Sequence, residues 1–215
     1  GMIKRTQRIL GKVYTVSGVI AAFRKRALFS VGFWSNDMVT EDIDITWKIQ
    51  LNGWDAKFEP RALCWILVPE TLKGIFNQRL RWSQGGNEVL LKYWHCLLSW
   101  KQRRMWLLYL EYCMAIVWCY LFTFFLVYSL LTGNLSFFFE PNIVCFLSFV
   151  CISQFALGLA LDSGYDKTLY KNIPWLVIYP LAYWVVNTSV TVLSFPKALF
   201  KKKGTAATWT SPDRG

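Results

Sequence analysis

The sequence predicts a mixed α/β part, then a pair of amphipathic interfacial helices, then about three transmembrane helices. Hydrophobic residues make up 54 % of the 215 positions, with 12 Trp and positive mean hydropathy, which is too apolar and aromatic-rich for an ordinary soluble domain. Residues 112–139, 142–161 and 173–195 carry no charge, and each is long enough to cross hydrocarbon that needs about 20 helical residues. Ahead of them lie alternating strand and helix signals.

Within residues 1–70, the β-branched Val13, Val16, Val19 and Ile20 predict an extended segment over 13–23. A short helix over 24–31 should end at Gly32. A second helix is predicted over 41–51, where Glu41, Asp42 and Asp44 suit the first turn, Ile45 and Ile49 stack at i+4, and Asn52-Gly53 is the stop. Phe58 and residues 62–68 read as strands flanking Pro60. Over 71–103 two amphipathic helices are expected, with Leu72, Ile75, Phe76 and Leu80 on one stripe and Leu90, Trp94, Leu97 and Leu98 on the next, separated by Gly85-Gly86. Neither stripe is long enough to span, and their Lys, Arg and Trp content suits the headgroup plane. The transmembrane region is placed at 104–200 and a polar tail at 201–215.

The net charge of +11 is uneven. The first 104 residues hold 17 of 24 Lys and Arg and 8 of 13 Asp and Glu, leaving +9 there and +2 beyond. That half should face anionic lipid on the cytoplasmic side. Nucleic acid is not the expected partner, because the excess lies beside membrane segments and no nucleic-acid-binding motif is present. The loop over 132–141 has no Lys or Arg and the next has Lys167 and Lys171, an outside loop followed by an inside one. Three spans would then put Lys197, Lys201, Lys202 and Lys203 outside, against the positive-inside tendency unless one segment is re-entrant. The third segment, with Pro174, Pro180 and Asn187, is the weakest, and the side of the C-terminus stays open.

Six cysteines without a C-x-x-C spacing support neither a metal site nor a disulfide framework. His95 has no second histidine and no nearby carboxylate, so an interfacial role is expected. Gly1-Met2-Ile3-Lys4-Arg5 opens on charge with no cleavable signal peptide, and the chain reads as the second half of something longer.

Two groups of residues could do chemistry. Asp42, at a loop-to-helix junction after Thr40 and Glu41, suits a general base that takes a hydroxyl proton; alone, the triplet is equally explained by the helix dipole. Gln78, Arg81 and Trp82 stand at i, i+3 and i+4 on one helical face. Arg81 can bind a diphosphate, Gln78 a sugar or phosphate oxygen, and Trp82 a pyranose face. The rival reading is a Trp/Arg belt in headgroups. Arg79 falls nearer the apolar stripe, within reach of phosphates.

Ser17-Gly18, then Thr40-Glu41-Asp42, then Gln78-Arg79-Leu80-Arg81-Trp82, then membrane helices, together resemble the processive family 2 glycosyltransferases, which include cellulose, chitin and hyaluronan synthases. Further blocks, from Ile3 to Arg8, Thr15 to Phe23, Leu51 to Trp54, Glu59 to Trp65 and Ser211 to Gly215, are most similar to the bacterial branch that makes β-1,6-linked poly-N-acetylglucosamine. The resemblance implies a cytoplasmic GT-A domain that inverts at the anomeric carbon of UDP-N-acetylglucosamine and extends a growing polysaccharide. It implies Asp42 as base, positioned by Thr40 and Glu41; Gln78, Arg81, Trp82 and Arg79 at the donor diphosphate and acceptor end; and Ser17 and Gly18 lining the acceptor site. It further implies a multi-pass protein of the bacterial inner membrane, a biofilm product and a small membrane accessory subunit. A divalent metal, Mg or Mn, belongs to the family's Asp-x-Asp element upstream of Ser17. None occurs between Gly1 and Asp37, so no metal ligands are expected in this chain, and alone it should be inactive. The alternatives are a synthase of another polymer (hyaluronan, chitin or cellulose) and, from another class, a non-catalytic membrane anchor or lipid-binding module.

Overall fold

The structure, a computed structural model, describes residues 2–10, 12–134, 140–176, 178–202 and 204–208. The end of the first uncharged stretch and the block at 211–215 lie outside the described residues. Seven α-helices are described: α1 (Met2–Leu10), α2 (Lys25–Val31), α3 (Glu41–Leu51), α4 (Leu72–Lys92), α5 (Arg103–Thr132), α6 (Pro141–Ser163) and α7 (Ile178–Leu199). Short 3-10 helices, Trp94–Leu98, Trp100–Gln102 and Lys167–Leu176, link them.

Helices α2 and α3 form where the sequence placed them. Gly32, at φ 72°, ends α2, and the three carboxylates fill the first turn of α3. Helix α1 has no counterpart in the sequence reading. The β half of the α/β expectation is not met, because the described residues contain no strand, only an isolated bridge between Ser17 and Ile20. The physical reason is visible at 13–16, where side chains take the place of a neighbouring strand. Gln50 accepts the Val13 N–H at 2.9 Å and donates to the Val13 carbonyl at 2.7 Å. Thr46 Oγ1 accepts the Val16 N–H at 3.0 Å, and the Trp47 indole donates to the Tyr14 carbonyl at 3.1 Å. Residues 62–68 form no strand, and Trp65 is 78 % exposed.

The expected break at Gly85-Gly86 is absent, since α4 runs unbroken through both glycines. Thr71 caps it by accepting the Gly74 N–H at 3.0 Å. A glycine costs an exposed helix up to about 1 kcal/mol relative to alanine, and here close packing offsets that cost. The second expected amphipathic helix is replaced by the 3-10 turn Trp94–Leu98, with Leu90 buried in the core instead.

That core centres on Trp47 of α3. Its ring meets Tyr14 edge-on at 6.3 Å, stacks on Tyr93 at 6.1 Å and meets Tyr109 at 6.2 Å. Met105, Leu108, Tyr109 and Ile116 of α5 join it, so the first turns of α5 pack as a globular helix before the apolar stretch takes over. Three helical stretches are long and apolar enough to cross a membrane, Trp100–Thr132, Val144–Ser163 and Ile178–Leu199.

The stripe expected to face lipid lies on the side of α4 that α7 covers. Ser83 and Ser194 hydroxyls are 2.7 Å apart, Asn87 donates to Ser194 Oγ at 3.0 Å, and Lys201 pairs with Glu88 at 2.8 Å. Sequence numbers rise together along both helices, so α4 and α7 run side by side in the same direction.

Candidate functional site

Asp42 sits in the first turn of α3, and its carboxylate turns back onto the Ser17-Gly18 turn. Its Oδ1 accepts the Ile43 N–H at 2.9 Å. A Cβ added to Gly18 would stand 3.3 Å from Asp42 Oδ2, so the glycine brings backbone close to the acid. Thr46 stitches the two segments together, donating to the Asp42 carbonyl at 2.6 Å while accepting from Val16. Burial raises the Asp42 pKa; the Ile43 N–H opposes this, the charge of Glu41 adds to it, and the Gly18 N–H opposes it more weakly. A carboxylate whose pKa moves toward the working pH is suited to accept a proton. Glu41 is exposed, and Lys4 of α1 lies near enough to feel the Asp42 charge.

Asp44 faces the other way. Fully buried, it accepts from Ser35 Oγ at 2.6 Å, Tyr93 Oη at 2.8 Å and Lys92 Nζ at 2.9 Å. These bonds tie the first turn of α3 to the last turn of α4.

Position around α4 then sorts the motif. At about 100° per residue, Gln78, Arg81 and Gly85 share one face. On that face Thr40 is seated directly on Gly85: an added Cβ would fall within 2.7 Å of Thr40 Cβ and nearer still to its Oγ1 and Cγ2. The face bearing Gln78 and Arg81 is therefore the one on which the Thr40-Glu41-Asp42 junction docks. Gln78 is buried there. Trp82 and Gly86 share the next face, where Gly86 admits the hydroxyl ends of Tyr14 and Tyr112, two rings stacked at 5.2 Å.

Arg79 lies about 20° round from Gly86 and two turns before it, on the side toward α7. Its guanidinium is sandwiched between Trp82 at 4.8 Å and Tyr183 at 5.1 Å, and Nη1 donates to Tyr183 Oη at 3.2 Å. Trp82 keeps 38 % of its surface exposed, enough to offer a ring to a ligand. Sequence reasoning missed Gly85, Gly86, Tyr14 and Tyr183. The only available signal was the glycine pair inside an otherwise helical stretch, and it reads more readily as a break.

The residues present do not fit a divalent metal. Among the described residues no three His, Cys, Asp or Glu side chains gather. In Asp42-Ile43-Asp44, the only Asp-x-Asp available, one carboxylate turns to Gly18 while the other is held by Lys92 and Tyr93.

Residues 1–195 match the family described as glycosyl transferase family group 2. Relatives named poly-β-1,6-N-acetyl-D-glucosamine synthase are similar over the whole chain: 43 % identity over 225 residues for the protein of Staphylococcus epidermidis, and 43 % over 223 residues for that of Staphylococcus aureus strain COL. In each case the match takes in 100 % of this chain and 54 % of the relative, so the chain spans about half the length of the curated relatives it matches. No solved structure matches it.

Proposed function

The chain belongs to glycosyl transferase family group 2, and from that premise we propose that it forms the acceptor-side half of a membrane-bound processive synthase. The enzyme transfers N-acetylglucosamine from UDP-N-acetylglucosamine to a growing β-1,6-linked exopolysaccharide. Residues 1–70 supply the C-terminal part of a GT-A-type domain, 71–103 carry the Gln-x-x-Arg-Trp face, and the following helices hold both at the inner face of a bacterial cytoplasmic membrane. A small membrane subunit is the expected partner. The observation that carries this reading is the seating of Thr40 on Gly85, which sets the base-bearing turn against the Gln78/Arg81 face.

In the proposed step, the terminal acceptor hydroxyl lies between Asp42 and the donor's anomeric carbon. Asp42 takes the hydroxyl proton as oxygen bonds to that carbon and the bond to UDP breaks on the opposite side, which inverts the configuration. Thr40 and Glu41 fix the turn from which Asp42 projects, and Gly18 leaves room for the acceptor beside the acid. Arg81 makes charge-assisted bonds to the departing diphosphate, Gln78 binds a sugar or phosphate oxygen, and Trp82 stacks on the acceptor sugar. Arg79 serves by holding the Trp82 ring against α7. The family generally uses a divalent metal; no step is assigned to it here, because these residues do not form its site.

The test is the full-length protein in membranes with Asp42→Asn. Polymer synthesis should fall at least about 100-fold, the lower range for loss of a general base, with membrane insertion unchanged. Retained synthesis would refute the assignment. Digestion of the product by a β-1,6-specific hexosaminidase should be complete, and resistance would move the polymer to another member's chemistry.

A further inference from the structure

We propose that α7 is not a third membrane crossing. Instead it lies obliquely in the catalytic-side half of the bilayer, packed on α4, with its outer face against lipid and its C-terminal lysines among anionic headgroups on the catalytic side.

The C-terminal end of α7 is tied to elements of the globular part, and Tyr183, near its start, reaches Arg79 of α4. Past its C-terminal end, Lys201 donates to the Asp37 carbonyl and pairs with Glu88 at 2.8 Å, and the Ala207 N–H reaches the Asn36 carbonyl at 2.9 Å. Residues 36–40 lead directly into Asp42. Ahead of α7, the end of α6 returns to the same side, where Asp162 pairs with Arg5 of α1 at 3.6 Å and Ser163 bonds Tyr170 at 3.0 Å. Helix α1 in turn leads into the segment bonded to α3. If α5 leaves the catalytic side and α6 comes back, α7 begins on the catalytic side and also ends there, which a third crossing would not allow.

The contacts with α5 give its depth. Trp184 meets Phe122 at 4.7 Å and Trp118 at 6.4 Å, while Tyr120 meets Phe195 at 6.2 Å and donates to the Val192 carbonyl at 3.0 Å. From Trp184 to Phe195, α7 advances about 16 Å, yet its partners on α5 cover only about 6 Å of rise. The two helices therefore cross steeply instead of running along each other. Glu111 is the last charge before the uncharged stretch of α5, and Phe122 stands about 16 Å beyond it. That is about half of a hydrocarbon core near 30 Å.

Residue chemistry agrees. Tyr183, Val190, Ser194 and Ala198 fall on the face toward α4, with Ser194 fully buried. Ile178, Leu181 and Val185 project from the opposite, exposed face. A closely packed face around Ser194 and large apolar groups on the other side suit a helix held against protein on one side and lipid on the other. Returning the C-terminus also resolves the charge problem, because Lys197 and Lys202, both exposed, then obey the positive-inside tendency, at about 1 kcal/mol per basic residue near anionic lipid.

The inference does not depend on which sugar is transferred, and neither does its test. One epitope tag is inserted at Asn134, between α5 and α6, and another is placed directly after Gly215, C-terminal to α7, in the full-length protein. On intact protoplasts, antibody should bind the Asn134 tag and not the C-terminal one; after permeabilisation it should bind both. Binding of the C-terminal tag on intact protoplasts would overturn the proposal, as would absence of binding to the Asn134 tag on intact protoplasts together with binding after permeabilisation.

Discussion

Replacing Gly85 with alanine sets two physical effects against each other. Helix propensity alone favours the substitution by about 0.5–1 kcal/mol. Packing opposes it, because the new methyl would stand 2.7 Å from Thr40 Cβ. Carbon atoms are comfortable from about 3.5 Å, so the two segments must part by about 1 Å. A rotamer change cannot relieve the clash, since Cβ is fixed by the backbone. Overpacking of this kind costs about 1–3 kcal/mol, enough to outweigh the propensity gain. More telling is the site, because a displacement of about 1 Å in positioning groups can reduce turnover about 100-fold. The assay is UDP release and polymer synthesis by the full-length enzyme in membranes, with kcat and KM measured separately. Gly85→Ala should lower kcat by about 10- to 100-fold with little change in KM for the donor. In a Thr40→Gly background, where the clashing atoms are gone, the same substitution should cost much less. A Gly85→Ala enzyme with normal kcat would refute the seating of Thr40 as the device that presents Asp42.

Because burial raises the Asp42 pKa, the acid limb of kcat/KM should lie above the ordinary aspartate range, and a limb at the ordinary value would contradict the assignment. For stability, a carboxyl with a raised folded pKa binds its proton more tightly when folded, so stability gained from this group appears as pH falls through that pKa; at neutral pH Asp42→Asn should melt no earlier than the unaltered protein. Asp44→Ala strips a fully buried carboxylate from Lys92, Tyr93 and Ser35. It should destabilise the protein by about 3 kcal/mol in detergent, the lower end for a broken buried pair because Lys92 is partly exposed; a loss below about 1 kcal/mol would count against the network. Tyr183→Ala should raise KM for an oligosaccharide acceptor about 2- to 5-fold through loss of the cation–π brace on Arg79, and Tyr183→Phe should lose much less. An unchanged acceptor KM in Tyr183→Ala would remove α7 from the site.

Local signals in the sequence were enough to place α2 and α3, where a left-handed glycine and a run of acidic residues act within one turn. They also placed Gln78, Arg81 and Trp82 together on α4, because i, i+3 and i+4 spacing is a property of a single helix. What they missed depends on partners distant in sequence. Residues 13–23 have a strand's composition, yet the groups that satisfy their backbone are Gln50, Thr46 and Trp47, 30 or more positions away. Gly85 and Gly86 look like breakers because nothing local announces Thr40, Tyr14 or Tyr112. Arg79 is adjacent in sequence to Gln78 and close to Arg81, yet the 100° turn sends it to another face, where Tyr183, 104 positions later, receives it.

The glycine pair also explains why transfer chemistry and membrane helices share one frame. Gly85 takes Thr40, and with it the turn that carries Asp42; Gly86, the next residue, takes Tyr112 from α5 and the Tyr14 ring stacked on it. Both contacts are made to bare backbone, with no side chain between to absorb a shift. Tyr14 also accepts the Trp47 indole through its carbonyl and meets that ring edge-on, which closes the circuit from α5 through residue 14 to α3. A shift of α5 against α4 must therefore displace Tyr14, and displacing Tyr14 strains the same α3 that presents the base. Bulkier residues at 85 and 86 would have padded these joints and separated the acid from the helices by the width of a side chain. On this geometry α5 contributes to the shape of the candidate site as well as to its attachment, and the proposed transfer site includes a helix of the apolar region.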